Sequence, residues 1–472
     1  MLLMWELREP LVFLCEAISN RDASQGDEGA HRFQFAVSRR CGSGAVSSDV
    51  LPLEVAQALV DPRAYADMER MHAAFSWARA NNPLGRAVID GFDPFWAVTK
   101  HADVMHVGRS NDLFHNADRS TILMDQATLA EIRTITGGNP NLLSTLVQMD
   151  DPHHRKMRAV TAAWFMPANV AKLDDHMREI ARAEADAMAA LGGDCEFIGQ
   201  VALGYPLRVV MEILGVPRSD EPRMLKLTQE IFGPDDPDLN RNKQDAPTAE
   251  QRAAMLNAVI VDFEAYFKTI TEDRRTHPRN DVATVLANAT IDGAPLSDHD
   301  LTSYYIIVAT AGHDTTSSSI GTAMWALCQY PSLLPQLKAD PSLIPAFIDE
   351  AVRWATPVRH FMRSATADTE LRGRRIARGD WLMLCYWSAN RDEEVFEQPF
   401  EFRLDRKPNK QIAFGYGRHM CLGMHLAKLE MKRLFEELLP RLESVQASAP
   451  MELVAANFVG GPKRLPIRFR MR

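Results

Sequence analysis

The chain has 472 residues, of which 46% are hydrophobic and 24% charged, and its net charge is −9. This length can bury a large core in one domain or in two or three, and the acidic balance argues against nucleic acid as a partner. The six cysteines contain no C-x-x-C pair, which disfavours a zinc ribbon and favours a reducing compartment.

Residues 1–49 differ in composition from the rest of the chain. The segment 21–48 is rich in Asp, Ser, Gly, Arg and Ala and has few periodic hydrophobic residues, which predicts a flexible N-terminal extension. A start codon assigned too far upstream is the alternative. No apolar run reaches the length of a membrane span and no signal peptide is evident, so we expect a cytoplasmic protein.

From Leu51 onward the hydrophobic pattern predicts helices more often than strands. Helices are predicted over residues 68–81, 169–191, 249–275 and 297–330, and strands over residues 95–99, 381–386 and 465–470. The proline-rich segment 234–247 predicts a mobile loop or lid. No linker separates two cores after residue 50, so we expect one large, mainly α domain with small β-sheets, of the α+β class, over residues 50–472.

The middle of the predicted helix 297–330 contains residues that disfavour helix. It reads AGHDTTSSS over residues 311–319, and clustered Gly, Thr and Ser weaken a helix interior. Hydroxyl groups can bond to the preceding turn and open the helix, and Asp314 beside Thr315 combines the parts of a proton relay. Close helix packing through small residues, with a solvated Asp314, explains this segment equally well.

Glu350 and Arg353 lie at i, i+3 on a predicted helix over residues 347–354. Such pairs are common on helix surfaces. Their apolar neighbours nevertheless indicate partial burial, and a buried pair needs further hydrogen bonds, for which Arg406 is a candidate.

Residues 414–423 read FGYGRHMCLG, and Cys421 within them lies near the start of a helix with an apolar stripe. The glycines allow the backbone to approach a flat or bulky group, and the helix N-terminus favours a thiolate. This cysteine could bind a metal, act as a nucleophile or be buried, and burial is the usual state of a lone cysteine.

These signals, in this order and spacing, together resemble the cytochrome P-450 superfamily of haem-thiolate monooxygenases. Phe414, Gly417, His419, Cys421 and Gly423 fill the pattern F-x-x-G-x-[RH]-x-C-x-G. The stretches ATAGHDTTSSS, DEAVRW, SANRDEEVF and NFVGGPK are similar to bacterial soluble terpineol-hydroxylase-type enzymes. The resemblance implies a P-450 fold, a single haem domain and haem b (iron protoporphyrin IX) as the cofactor.

The resemblance also implies roles for the residues at matching positions. Cys421 would be the metal ligand, and Asp314 with Thr315 the acid–alcohol pair that delivers protons to dioxygen. A structural triad would comprise Glu350, Arg353 and Arg406. The residues implied to bind the haem are His154, Arg158, Ala311, Arg363, Phe414, Gly415, His419, Cys421 and Gly423. The doubled histidine at 153 and 154 leaves open which of the two faces the haem.

The residues expected to line the substrate pocket are mostly apolar, which suits a small hydrophobic substrate. They are Ile307, Val308, Ala311, Val358, Phe361 and Phe458, with Arg359 and His360 as polar exceptions that point away. By resemblance, the reaction is hydroxylation of a monoterpene, a terpene alcohol or an alkylbenzene with O2 and two electrons. Larger aromatic hydrocarbons are the alternative, and a non-catalytic haem-thiolate sensor is a less favoured one.

Electrons must come from a separate protein, because the chain has no flavin or nicotinamide fingerprint and no ferredoxin-type cysteine cluster. The resemblance implies a ferredoxin served by a ferredoxin reductase. The cations predicted to form a basic patch for an acidic ferredoxin are Arg155, Lys156, Arg418, Lys428, Lys432 and Arg433.

Overall fold

The computed structural model of the protein describes residues 49–243 and 245–472. The predicted extension 1–49 therefore lies, apart from Asp49, outside the described residues. The helices are α1 (Leu53–Val60), α2 (Met68–Asn81), α3 (His101–Arg109), α4 (Gln126–Thr136), α5 (His153–Ala162), α6 (Pro167–Val170), α7 (Asp174–Ala190), α8 (Gly204–Leu214), α9 (Glu221–Phe232), α10 (Ala249–Thr276), α11 (Val282–Ala287), α12 (Asp298–Ala311), α13 (Asp314–Gln329), α14 (Leu333–Ala339), α15 (Ile344–Ala355), α16 (Tyr386–Ala389) and α17 (Met424–Arg441).

The strands are short. They are β1 (Leu84–Ala87), β2 (Phe95–Val98), β3 (Phe114–His115), β4 (Asp194–Glu196), β5 (Thr290–Ile291), β6 (Ala294–Pro295), β7 (His360–Ala365), β8 (Thr369–Leu371), β9 (Arg374–Ile376), β10 (Trp381–Cys385), β11 (Leu442–Ala447), β12 (Glu452–Leu453), β13 (Pro462–Arg464) and β14 (Pro466–Met471). The predicted α+β class, with dominant helices and small sheets, is confirmed. Within residues 49–243 and 245–472, no helix is long and apolar enough to span a bilayer.

The largest sheet has the strand order β1-β2-β10-β7-β3. Strand β10 is parallel to β2 and antiparallel to β7. Every residue of β2 and β10 is buried, as expected for central strands covered on both faces. A second sheet has the order β11-β14-β4.

Several helix boundaries follow from capping chemistry. Helix α2 has the predicted bounds because the Asp67 side chain accepts the Arg70 amide at its start. Thr248 and Gln251 form a capping box at the start of α10. The predicted start at residue 169 is wrong for α7, because α6 and a 3-10 turn precede it and the long helix begins at Asp174.

The prediction of one helix over residues 297–330 is also wrong, because the chain forms two helices separated at Gly312 and His313. The Thr315 hydroxyl donates to the Ala311 carbonyl at 2.7 Å, and the Ser317 hydroxyl donates to the His313 carbonyl at 2.8 Å. Hydroxyl groups that bond to the preceding turn bend and weaken a helix. The break thus forms at the stretch of poor helix formers.

The main hydrophobic core lies around α13, α15 and α17. Phe347 of α15 packs edge-on against Phe435 of α17, with ring centroids 5.2 Å apart, and Ile320 of α13 is fully buried in the same cluster. Helix α15 includes the predicted helix 347–354 and extends it at both ends. This core supports the break between α12 and α13 on one side and the loop before α17 on the other.

Candidate active site

A cavity of about 450 Å³ lies between the break at residues 312–313 and the loop that carries Cys421. The sequence-predicted residues that line it are His154, Arg158, Ile307, Val308, Ala311, Thr315, Val358, Phe361, Arg363, Phe414, Gly415, His419, Cys421, Gly423 and Phe458. They come from segments spread over more than 300 positions of the chain, and the tertiary fold brings them together around one space.

The loop before α17 holds Cys421 against the cavity. Its amide donates to the Phe414 carbonyl at 2.8 Å, which closes a loop containing Gly415 and Gly417 at φ values of 73° and 82°. A Cβ atom on Gly417 would lie 2.2 Å from the Gly108 carbonyl oxygen of α3, so only glycine fits there. Cys421 retains solvent-accessible surface and lines the cavity, where the surrounding protein still desolvates its thiol.

Burial raises the pKa of the Cys421 thiol, and the Gly423 amide and the Arg158 charge offset this rise only in part. Within the described residues, the amide N–H groups and cations expected to favour a thiolate lower the pKa of Cys421 less than burial raises it. Helix α17 begins only at Met424, three residues past the cysteine, and a helix terminus acts within its first turn. A metal that binds the sulfur deprotonates it outright.

Cationic and imidazole groups from three segments meet at one part of the cavity wall. The rings of His154 and His419 lie with their centroids 4.1 Å apart. Arg158 donates to the Met420 carbonyl at 2.7 Å, and the buried Arg363 donates to the Met362 carbonyl at 2.8 Å.

The carboxylate of Asp151 lies near this group, with its Oδ1 atom 3.7 Å from His154 Nδ1. The buried His154 Nε2 and Arg363 Nε atoms have no partner within the described residues. The pKa of His419 falls to about 2 because of burial and then the charges of Arg363, His154 and Arg158. Buried cations need anionic partners, and carboxylate groups of a ligand suit this site. His153 is exposed, so His154 is the histidine that faces the cavity.

The opposite wall contains the Thr315 side chain. Asp314, its predicted partner, does not line the cavity and instead faces His313, with its Oδ2 atom 3.5 Å from His313 Nδ1. That Oδ2 atom is buried and has no hydrogen-bond partner among the described residues. The structure therefore separates the two side chains and turns only the alcohol toward the cavity.

His313 is fully buried, and sequence reasoning missed its role. Its Nε2 atom lies 3.0 Å from the Leu203 carbonyl oxygen, which can only accept, so Nε2 carries the proton. The Nδ1 atom lies 3.1 Å from the Thr228 hydroxyl of α9. The histidine thus joins the break to α9 and to the segment before α8. Its position within AGHDTT was the only sequence signal.

The predicted triad forms a buried network. Arg353 donates to both oxygens of Glu350, at 2.8 and 2.7 Å, and Arg406 Nε donates to Oε1 at 2.9 Å. The Arg403 amide and the Asn409 side chain complete the shell around the carboxylate. Glu350 and Arg353 are fully buried and do not line the cavity, so this network supports the fold around the site.

A family model described as cytochrome P450 matches residues 138–453. The chain belongs to the cytochrome P450 family. The P450 named cytochrome P450-terp, from a Pseudomonas species, is 50% identical over 419 residues, which are 89% of this chain and 98% of that relative. Methyl-branched lipid omega-hydroxylase from Mycobacterium bovis is 33% identical over 79% of this chain and 83% of its own.

Solved P450 structures share the fold. CYP108D1 from Novosphingobium aromaticivorans has a TM-score of 0.83 at 44% identity, covering 90% of this chain and 100% of its own. Mycobacterium marinum CYP268A2, in complex with pseudoionone, has a TM-score of 0.79 at 29% identity, covering 91% and 100%. The protein is thus a P450 monooxygenase whose cofactor is haem b. The thiol and the unpartnered nitrogens around this cavity fit that group.

Two further sequence expectations have clear outcomes. Arg359 and His360 do point away from the cavity, and both are buried. Arg433 does not belong to an exposed basic patch, because it is 9% exposed and pairs with Asp174 and Glu436.

Glu430 of α17, which sequence reasoning did not single out, is a buried acid that lines the cavity.

Proposed function

We propose that this P450 hydroxylates a small hydrophobic substrate of the size of a monoterpene, a terpene alcohol or an alkylbenzene, with O2 and two electrons. The observation that carries the proposal is the apolar wall opposite Cys421. Phe361 and Phe458 pack with ring centroids 5.4 Å apart, and Ile307 and Val308 of α12 line the same cavity. An apolar wall with few polar groups selects hydrophobic ligands. The 50% identity to cytochrome P450-terp supports the same size class.

In this proposal residues 50–472 form the haem domain, and Cys421 binds the haem iron as a thiolate. When bound, haem b activates dioxygen so that one oxygen atom enters a C–H bond of the substrate. The propionates would be bound by His154, Arg158, Arg363 and His419, and the ring would be contacted by Ala311, Phe414, Gly415 and Gly423. Their shared position around the cavity supports this assignment.

Thr315 and Asp314 are proposed to move protons into the cavity. The Thr315 hydroxyl donates a hydrogen bond to the Ala311 carbonyl, so its oxygen is free to accept a hydrogen bond from a donor in the cavity. Asp314 offers an unpartnered carboxylate oxygen one residue away, and His313 holds the backbone of the break in place. Glu350, Arg353 and Arg406 are proposed as a purely structural triad.

The proposed electron donor is a ferredoxin, served by a separate reductase, that docks near Cys421 on the exposed cations of the predicted patch. Lys428 and Lys432 of α17 are about one-third exposed. Lys428 also pairs with Asp349 at 2.6 Å, which reduces the net charge of this face. Replacing both lysines by Glu should slow the reduction of the P450 by the ferredoxin and make the reduction rate less dependent on salt. The control is Lys268→Glu on α10. Unchanged reduction kinetics would exclude this docking face.

The enzyme is proposed to work in the cytoplasm. Cys195, Cys328, Cys385 and Cys421 are free thiols, which suits a reducing compartment.

The carbon monoxide difference spectrum of the reduced protein tests the iron ligand. A thiolate-type Soret band is expected for the wild type and for Cys328→Ser, whose thiol lies away from the cavity, and its loss is expected for Cys421→Ser. The substrate class is tested by the haem spin-state shift with monoterpene alcohols, alkylbenzenes, polycyclic aromatics and fatty acids. Shifts confined to polycyclic aromatics or fatty acids would contradict the proposed size class.

A further inference from the structure

A second cavity, of about 20 Å³, lies apart from the substrate cavity, beside the end of α15 and the β12–β13 pair. A single water needs about 10–15 Å³ of such space, so this cavity holds one small species. Its wall includes two arginines, Arg359 and Arg391, and otherwise contains apolar, aromatic and uncharged groups. No carboxylate lines it among the described residues.

Arg359 is 4% exposed. Within residues 49–243 and 245–472, its guanidinium forms no ion pair, and its Nε atom has no hydrogen-bond partner. The guanidinium instead lies over the ring of Tyr65, whose centroid is 5.5 Å from the guanidinium carbon. Burial lowers the pKa of Arg359 to about 10, and the nearby Tyr65 opposes this shift.

Arg391 is 1% exposed and lies between two indole rings. Its guanidinium carbon is 4.0 Å from the Trp387 ring centroid and 5.2 Å from that of Trp354. It donates to the Trp354 carbonyl at 2.6 Å and to the Trp387 carbonyl at 3.4 Å, while Nε has no partner among the described residues. Stacking on aromatic faces and carbonyl acceptors stabilise a cation but leave its charge in place.

The acids closest in sequence to Arg391 are already used by other cations. Asp392 pairs with Lys100, and Glu393 pairs with Arg79. The pKa of Arg391 is lowered by burial and then by the positive charges of Arg353, Arg359 and Arg79. A guanidinium stays protonated in proteins, so two buried positive charges share this wall without a carboxylate from the described part of the chain. Buried charges are paired in stable folds.

We propose that this second cavity is an anion site, in which a monovalent ion of halide size, chloride in the cell, lies between Arg359 and Arg391. The site would act as a support for the substrate pocket. The Arg359 amide donates to the Phe458 carbonyl at 2.8 Å, and Val358 before it and Phe458 both line the substrate cavity. An anion bound to the Arg359 side chain would therefore stabilise the segment of Val358 and Arg359 on the side that faces away from the substrate cavity.

Crystals of the holoenzyme grown in sodium bromide test the site directly. Bromide replaces chloride and scatters anomalously at its absorption edge. Besides the peak of the haem iron, we expect one internal anomalous peak, between the guanidinium groups of Arg359 and Arg391, and it should vanish in data collected below the bromine edge. A water molecule in the cavity with no anomalous peak would overturn the proposal.

Thermal unfolding of the holoenzyme gives a second measurement in solution. At constant ionic strength, replacing gluconate by chloride should raise the Tm in a saturable way, because a ligand that binds only the folded state stabilises it. Arg359→Met should remove this dependence on chloride, whereas Arg375→Met, at an exposed arginine paired with Asp368, should keep it. If Arg359→Met does not fold, the bromide peak and the wild-type titration still decide. A wild-type Tm that is equal in both salts would count against the site.

Discussion

Arg252 of α10 donates to the carboxylate of Asp125, the residue that caps α4, at 3.0 Å across 127 positions of the chain. The same guanidinium donates to Asp235, just after α9, at 2.9 Å. All three residues line the substrate cavity and are partly exposed. This contact, which we call the Arg252 latch, therefore joins three segments at the edge of the cavity.

Arg252→Gln should open the latch and speed ligand exchange. Partly exposed ion pairs contribute up to about 1 kcal/mol each and the variant breaks two, so the association and dissociation rates should rise by up to roughly 30-fold, with less dependence on salt. Stopped-flow mixing with a phenyl-substituted imidazole, followed in the Soret band, measures both rates without knowledge of the substrate. Arg63→Gln, which breaks the fully exposed pair with Asp245, is the control. Equal changes in both variants would show that the latch does not gate entry.

Thr315→Ala should separate electron use from product formation. With the hydroxyl gone, a proton no longer reaches dioxygen at the right place, so hydrogen peroxide should replace product and coupling should fall roughly tenfold or more. The measurement is product and peroxide formed per pair of electrons delivered in the reconstituted system.

The matched control for Thr315 is Ser317→Ala. Its hydroxyl makes the same type of bond to the preceding turn but does not line the cavity, so coupling should stay at the wild-type value. Full coupling in Thr315→Ala would remove this residue from proton delivery.

Glu350→Gln should lower the free energy of unfolding and make that free energy less dependent on pH in the acid range. Burial alone would raise the pKa of Glu350, but hydrogen bonds from Arg353, Arg403 and Arg406 hold it below its usual value. The Glu350 carboxylate therefore contributes to the free energy of unfolding at pH values above about 4.3, its pKa in the unfolded chain. This contribution is lost as the pH falls through the lower pKa that Glu350 has in the folded protein.

Removing this charge leaves Arg353 buried and unpaired, which costs about 3–5 kcal/mol at pH 7. Urea unfolding at pH 7 and at steps down to pH 4 should show lower stability for Glu350→Gln and a flatter acid limb. Glu370→Gln, at an exposed residue of β8, should follow the wild type. An unchanged free energy of unfolding would show that the network is not essential to the fold.

Gly417→Ala should displace the loop that carries Cys421. Gly417 and Gly91 have nearly equal φ values, 82° and 80°, but a Cβ atom at Gly91 meets nothing within 4 Å. Gly91→Ala therefore measures the backbone strain alone, about 1–2 kcal/mol. The Gly417 variant adds the contact with the Gly108 carbonyl, so its Tm and haem content should fall well below those of Gly91→Ala. Equal losses of Tm and haem content in the two variants would mean that the loop accommodates the added Cβ atom without a further loss of stability.

Prediction from sequence worked best where chemistry is local. Asp67 before α2 and Thr248 before α10 are capping residues, and both helices begin where the sequence indicated. It failed at the start of α7 and across residues 312–313. The hydrophobic pattern over residues 297–330 favours one continuous helix, and the clustered Gly, Thr and Ser residues indicate only that its middle is weak; the Thr315 hydroxyl bonds to the preceding turn where the helix breaks.

The order and spacing of Cys421, Glu350, Arg353 and the 311–319 stretch were enough, by themselves, to indicate the family and its cofactor, because a metal ligand and its surroundings require particular residue types. Only the tertiary structure decided which atoms face the cavity. In the fold, the Thr315 side chain lines the cavity and the Asp314 side chain faces His313. His154, and not His153, lines the cavity. Arg359 and Arg391 have no carboxylate partner among the described residues. These outcomes depend on contacts between residues far apart in the chain, which a single sequence does not record.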